Sequence, residues 1–243
     1  PKGAQTCRNI GLEMARGEYV VFFDSDDYIA PYCLRQRVEM MQQHPELDFM
    51  VFPAAMYMDD TFCIEAHPYM YGYHIYTDDV EQFARRQLPF IVWNNIYRRA
   101  ALLAKSLKWD ERLLSLQDAD FNISAIAAGL RYAYAEDAHP DYGYRVSSVS
   151  SVSKNIKGVR HHESHIYANQ KVWAMVQAAY GRRYDRALFD GTLSIYNAGL
   201  SGRGIDCSFA LSLVASLKER SCVYYCLFNF QVRLTLLLQK IMP

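Results

Sequence analysis

The residues richest in chemistry are the acids of Asp24-Ser25-Asp26-Asp27, which follow directly on the apolar run Tyr19-Val-Val-Phe-Phe23. A short run of β-branched and aromatic residues reads as a strand buried on both faces. In open α/β sheets, ligands collect beyond the carboxyl ends of the strands. Three carboxylates placed there repel one another unless a cation compensates. Hard divalent cations take oxygen ligands and share them with phosphates. Asp24 and Asp26 are separated by one residue, so on an extended backbone both point to the same side. One can then hold a metal or a ribose, and the other the metal and a diphosphate. The blander alternative is a solvated acidic turn with Asp27 capping the next helix. The buried strand ahead of the acids favours a site.

The elements that would position these acids follow from pattern. Ala4 to Arg16 is helix-forming and Gly17 stands where a C-terminal cap glycine would. After the acids, Pro31 suits the first turn of a helix. That helix carries Leu34, Val38 and Met41 at i, i+4 and i+7 and closes at His44-Pro45. A second strand is expected over Leu47 to Phe52, then irregular strands and loop from Pro53 to Tyr76. Thr77-Asp78-Asp79 reads as a helix start with Val80, Phe83 and Ala84 inward. Phe90 to Tyr97 reads as extended, Arg98 to Ser106 as a short helix, Asp118 to Ala128 as a helix closed by Gly129, and Leu130 to Ala135 as a strand.

From Gly158 helical spacing takes over, with Ile166, Val172, Trp173, Val176 and Ala179 in register. Further helices are expected over Phe209 to Lys218 and Cys222 to Lys240. On the last of these, Val223, Leu227, Phe230, Leu234 and Leu238 fall near one face, with Arg220, Arg233 and Lys240 nearby. This face is expected to dock on its own domain, on a partner, or at a membrane surface.

The bulk composition restricts the function classes. A hydrophobic fraction of 51% supports a core, and a charged fraction of 21% argues against disorder. Twenty-six basic residues balance twenty-six acidic ones, so the broad positive field of a nucleic-acid binder is missing. Six cysteines form neither a CxxC pair nor a zinc spacing and read as thiols in a reducing compartment. Pro1 to Arg16 has no apolar signal-peptide core. No run of 18 uncharged apolar residues occurs.

Beyond the acids, one long stretch resembles a known family. Ala4-Gln-Thr-Cys-Arg8-Asn9-Ile-Gly11-Leu, followed by Ala15-Arg-Gly17-Glu18-Tyr-Val-Val-Phe-Phe-Asp24-Ser25-Asp26-Asp27-Tyr28, is similar to the central signature of family 2 glycosyltransferases, "ARNxGLxxAxGEYxxFxDSDD". The resemblance implies a GT-A fold: a Rossmann-like nucleotide-sugar-binding α/β sheet with flanking helices. In that family the DxD motif chelates Mn²⁺ or Mg²⁺ against the nucleotide diphosphate. Asp24 and Asp26 would do so here, with Arg8, Asn9 and Ser25 beside the donor.

Trp93-Asn94-Asn95-Ile-Tyr97-Arg98-Arg99 resembles the "WNKLYRR" segment that precedes the acceptor side, with Asn95 where lysine is frequent. It suggests Trp93 and Asn94 as acceptor-side residues. Leu116-Gln117-Asp118-Ala119-Asp120-Phe121 resembles "xEDxxF", with Gln117 in place of glutamate. It implies Asp118 as catalytic base, with Asp120 on the acceptor side or capping the helix. In some GT-A enzymes a histidine beyond the base completes the metal site, a role for His161 or His162.

The resemblance covers about residues 1 to 150. It implies a partial GT-A domain over 1–155 and an all-α extension over 156–243. Family members open with an "SVIIPVYN" strand and a "VDDGSTD" loop. Neither is in this sequence, so roughly 70–90 residues are expected to precede it. The chain alone is expected to expose a sheet edge and to be inactive. Ser147-Ser148 to Ser150-Ser151 resembles a lid near the donor phosphates.

The function expected is metal-dependent, inverting transfer of a sugar from a nucleotide donor, a UDP-sugar, to a saccharide or a lipid-linked saccharide. It would belong to cell-envelope polysaccharide biosynthesis. The place is the cytoplasm, with peripheral contact at the inner face of the membrane and no nucleic-acid partner. The alternatives are a non-catalytic glycosyltransferase-like module and a haloacid-dehalogenase-type phosphohydrolase. The second lacks the residues expected after its second aspartate.

Overall fold

The computed structural model of this chain describes residues 3–58, 61–63, 71–145, 159–201, 214–215, 217–219 and 221–241. The expected helix over Phe209 to Lys218, the serine-rich lid and the proposed boundary near 155 lie largely or wholly outside them. Among the described residues, two four-stranded sheets organise the part of the chain up to Arg145. In the first, β1 (Tyr19–Val21) pairs antiparallel with β6 (Asn95–Arg98). β6 pairs antiparallel with β3 (Phe49–Val51), and β3 pairs parallel with β7 (Tyr132–Tyr134). In the second, the order is β2 (Tyr28–Ile29), β8 (Tyr142–Arg145), β4 (Ala54–Met58) and β5 (Thr61–Cys63). β1, β3 and β7 run the same way, so their carboxyl ends share one side of the sheet. β1 is an edge strand among the described residues, and its burial alternates, with Val20 inside and Tyr19 and Val21 half-buried.

Helix α1 (Ala4–Met14) ends at an extended Ala15 rather than at Gly17. Helix α2 (Cys33–Gln43) starts two residues after Pro31, with Tyr32 at its cap. Its inward face differs from the apolar pattern: Cys33, Arg37 and Met41 are buried, while Leu34 is 55% exposed. The cause is Arg37. Its guanidinium donates to both carboxylate oxygens of Asp141, at 2.9 and 2.6 Å, and to the Trp93 carbonyl at 2.9 Å. Neither side chain of the pair is accessible to water. A charge is tolerated inside only when it is paired and hydrogen-bonded, and this pair rotates the helix to bring Arg37 in.

Helix α3 (Asp79–Ala84) begins as expected, with the Asp78 carboxylate accepting from Glu81 N. A 3₁₀ turn (Val92–Asn94) interrupts the stretch ahead of β6, and α4 (Arg99–Ala104) follows it. Helix α5 (Gln117–Ala127) closes at Gly129, which takes φ +82°. The core between sheet and helices is aromatic. Phe22 lies edge-on to Tyr97, Trp109 and Phe121, and Trp109 stacks on Phe121 at 4.5 Å.

Helices α6 (Val159–Tyr180) and α7 (Asp185–Ser201) join this same core through Trp173, Val176, Leu188 and Phe189. At the crossing of α7 with α3, a β-carbon on Gly191 would collide with the Ala84 carbonyl, so the two backbones touch. The last helix, α8 (Cys222–Ile241), docks through Phe228 and Val232, with Tyr224 stacked on Phe189 at 4.9 Å. The face carrying Val223, Leu227, Phe230 and Leu234 does not dock on its own domain: these residues are 65, 51, 69 and 44% exposed. Cys7, Cys33, Cys222 and Cys226 are free thiols. Among the described residues no helix is long and apolar enough to cross a membrane.

Candidate active site

β1 delivers the chain to Asp24 at the carboxyl end of the sheet, and α1 places Arg8 opposite. Arg8 Nη2 donates to Asp24 Oδ1 at 2.5 Å, and its Nη1 donates to Gln117 Oε1 at 3.0 Å. The indole of Trp109 lies 4.5 Å from the guanidinium carbon and holds its plane. Two acidic motifs from distant parts of the chain are thereby joined by one cation. Gln117, which departs from the glutamate of the resembling motif, still accepts from Arg8.

Asp118 follows at the start of α5. The preceding residue but one, Leu116, takes the left-handed conformation at φ 63° and swings the helix start toward Arg8. Asp118 is only half-buried as a residue, but its Oδ1 is shut off from water and has no hydrogen-bond partner. Desolvation raises its pKa to about 6; the Arg8 charge pulls it down and the Asp24 charge pushes it up. A carboxylate with that pKa is half-ionised close to neutrality, the range in which a general base works best.

Asp120 does not cap the helix. Its Oδ2 accepts from Lys171 of α6 at 2.7 Å, and the residue is 1% exposed. It faces away from the acid cluster and ties α5 to α6. Asp27 is no helix cap either. Its oxygens accept from the Tyr142 hydroxyl at 2.6 Å and from Arg145 N at 2.8 Å. The same hydroxyl accepts from Asp24 N at 3.4 Å, so Tyr142 holds both ends of the acidic turn against β8. Burial raises the Asp27 pKa, and the bonds from Tyr142 and Arg145 oppose that rise. Ser25 and Asp26 stand exposed at the tip.

Other expected site residues turn inward. Asn9 uses its amide on Trp109 O, Trp109 N and Glu111, and so braces the loop that carries Trp109 rather than facing a donor. Trp93 is 2% exposed and Asn94 wholly buried, so neither can touch an acceptor. Asn95, in the place of the frequent lysine, is buried and donates to Tyr97 and Asn122. His162 and His165 lie buried on α6; burial, then the Arg86 charge, presses His165 down to about 4. His161 is half-buried at the start of the same helix.

Among the described residues no three His, Cys, Asp or Glu side chains come together to hold a metal. The donor set that fits a hard cation is Asp24 with Asp26, the arrangement Mg²⁺ accepts when substrate phosphates supply further ligands. Tyr142 and the Arg37–Asp141 pair carry no signal in the sequence, because their roles appear only once β8 is paired with β2.

Removing the Tyr142 hydroxyl should loosen the turn without opening the core, since the ring keeps its stack on Trp93 at 4.4 Å. Tyr142→Phe is expected to cost about 1 kcal/mol of stability in urea unfolding, the usual penalty for stranding a partly buried acceptor. The Asp27 pKa should rise further in that variant, readable by NMR titration. An unchanged Asp27 titration would show that the turn is held by other means.

An acidic strand-end turn facing a helix-borne aspartate, on a mixed sheet flanked by helices, is the GT-A type of nucleotide-sugar fold. Solved structures bear this out. TarS of S. aureus in complex with UDP-GlcNAc superposes with a TM-score of 0.63 at 18% identity, over 89% of this chain and 60% of that one. TarS with UDP gives 0.54 at 19%, over 86% and 54%. Residues 1–107 match the model of glycosyl transferase family 2. The glycosyltransferase EpsJ of Bacillus subtilis is 24% identical over 155 residues, 62% of this chain and 44% of the relative. A glycosyltransferase of Methanocaldococcus jannaschii is 28% identical over 137 residues, 56% and 45%. The chain thus spans under half the length of these curated relatives.

Proposed function

We propose that the protein transfers a sugar from a nucleotide-sugar, of the UDP type, to a hydroxyl of a saccharide or lipid-linked saccharide, with inversion at the anomeric carbon. The observation that carries this reading is the Arg8 bridge. It brings the Asp24–Asp26 turn and the Gln117-Asp118 helix start, 109 residues from Arg8 along the chain at Gln117, into one centre. The complexes of TarS with UDP-GlcNAc and UDP support a UDP-type donor on this fold.

Mn²⁺ or Mg²⁺ held by Asp24 and Asp26 would neutralise the charge that builds on the leaving diphosphate. Arg8 fixes Asp24 and lends the site a further positive charge. Asp118, across the guanidinium, takes the proton of the acceptor hydroxyl through Oδ1. Its desolvated setting raises its proton affinity toward that of a working base. Gln117 favours catalysis over a non-catalytic module, because it keeps the contact to Arg8 that a glutamate would make.

The test is calorimetry of UDP binding to the complete protein with MnCl₂. Binding should depend on Mn²⁺ and vanish in Asp26→Ala, whose exposed side chain has no structural work to do. Equal Mn²⁺-dependent binding in that variant would sink the metal assignment.

A further inference from the structure

The reading above leaves the acceptor side without a residue, because Trp93 is buried. Trp93 is instead the middle of an aromatic stack. Tyr142 lies parallel to it at 4.4 Å, Tyr144 at 6.4 Å and 18°, and Tyr71 meets it edge-on at 5.9 Å. Tyr142 is wholly buried, whereas Tyr144 is 37% exposed and Tyr71 half-buried. The outer rings of the set are therefore Tyr71 and Tyr144.

Both stand at the acidic centre. After burial, what raises the Tyr71 phenol is the neighbouring Tyr144 and then Asp118. What raises the Tyr144 phenol after burial is Asp27, Asp26 and Asp24. Tyr144 immediately precedes Arg145, whose N–H donates to Asp27, and Tyr71 adjoins Tyr144 across Trp93, which lies in the 3₁₀ turn packed on α5.

The backbone that carries each ring is fixed. Asn94 Nδ2 donates to the carbonyls of Tyr71 at 3.0 Å and Phe52 at 2.7 Å, which explains why Asn94 is buried. Gly72 takes φ +92°, and a β-carbon there would collide with the Phe52 carbonyl and the Asn94 amide, so only glycine lets Tyr71 sit this close. Tyr144 is locked in β8 between β4 and β2, and the next residue's N–H is held by Asp27. Rings held this way lose little freedom when a ligand arrives.

We propose that Tyr71 and Tyr144 form a stacking platform for the sugar ring of the acceptor, which turns its reacting hydroxyl toward Asp118. The acceptor is then a pyranoside rather than a bare alkyl or peptide hydroxyl. An aromatic face takes the C–H face of such a ring, while the carboxylates alongside take its hydroxyls. This rests on the glycosyl-transfer reading.

The experiment is saturation-transfer NMR on the complete protein with UDP and MnCl₂, using the methyl pyranosides of glucose, galactose, N-acetylglucosamine and N-acetylgalactosamine as probes. At least one should bind. Tyr71→Ala and Tyr144→Ala should each weaken it by roughly two- to tenfold, while Tyr71→Phe and Tyr144→Phe, which keep the ring, should bind as the parent does. UDP affinity should be the same in all five proteins. If UDP binds and none of the glycosides does, the platform is refuted and the donor reading stands. Equal glycoside binding in the alanine variants, or a parallel loss of UDP affinity in them, would also overturn it. Failure of UDP to bind the parent would remove the transfer reading and the platform with it.

Discussion

Replacing Asp118 with asparagine should abolish sugar transfer while leaving the fold as stable as before, or more so. Loss of a general base typically lowers the rate by about 10²–10⁴-fold. Asparagine keeps the shape and removes the charge, so donor binding, measured with UDP and Mn²⁺, should persist. The stability argument comes from the raised pKa. The folded protein holds the Asp118 proton up to about pH 6, whereas the unfolded chain releases it near 3.9. Stability from the neutral form is fully present below the unfolded value and is lost as pH rises through 6. At pH 7.5 the parent carries an ionised, partnerless Oδ1, and the asparagine variant does not. Thermal melts should therefore show an equal or higher Tm for Asp118→Asn at pH 7.5 and convergence of the two below pH 4. In the parent, transfer should fall as pH drops through about 6. A variant that keeps a tenth or more of the parent rate would move the base elsewhere.

Arg37→Met should have the largest effect on stability. It leaves the Asp141 carboxylate buried with no counter-charge, which typically costs about 3–5 kcal/mol. In a chain of this size that is a Tm decrease of roughly 6–20 °C. Asp141 immediately precedes Tyr142, the residue that pins the acidic turn, so Mn²⁺-dependent UDP affinity should fall alongside. Arg37→Met combined with Asp141→Leu should recover most of the lost stability, since an apolar pair of similar volume replaces a buried ion pair at little cost. A single-variant loss under 1 kcal/mol, or no recovery in the double variant, would mean that the pair is hydrated in solution.

The parts of this molecule legible in the sequence are those whose determinants lie close along the chain. An apolar strand running into Asp24, Asp78 capping α3 and Gly129 closing α5 need only neighbours to be read. What stayed hidden depends on pairings across long separations. Arg37 is 104 residues from Asp141, so its burial contradicts the local pattern that favoured Leu34. Asp120 reads as a cap until Lys171 is brought over it. Trp93 and Asn94 resemble contact residues, yet they form the support beneath Tyr71. α8 is apolar on two sides, and periodicity alone does not choose which of them docks on its own domain; Phe228 and Val232 do, while Val223, Leu227 and Phe230 stay exposed.

The backbone contact of Gly191 with Ala84 has a consequence for divisibility. At Gly191 the backbone of α7 rests directly on that of α3. α6 meets α3 and α5 across a cavity of only about 20 Å³, lined by Phe83, Leu88, Ala119, Ala168 and Val172. Severing the chain ahead of α6 would bare that apolar seam and strand Asp120 without Lys171. α6 and α7 share one apolar core with the sheet, and α6 is laid along the back of the aspartate-bearing helix α5.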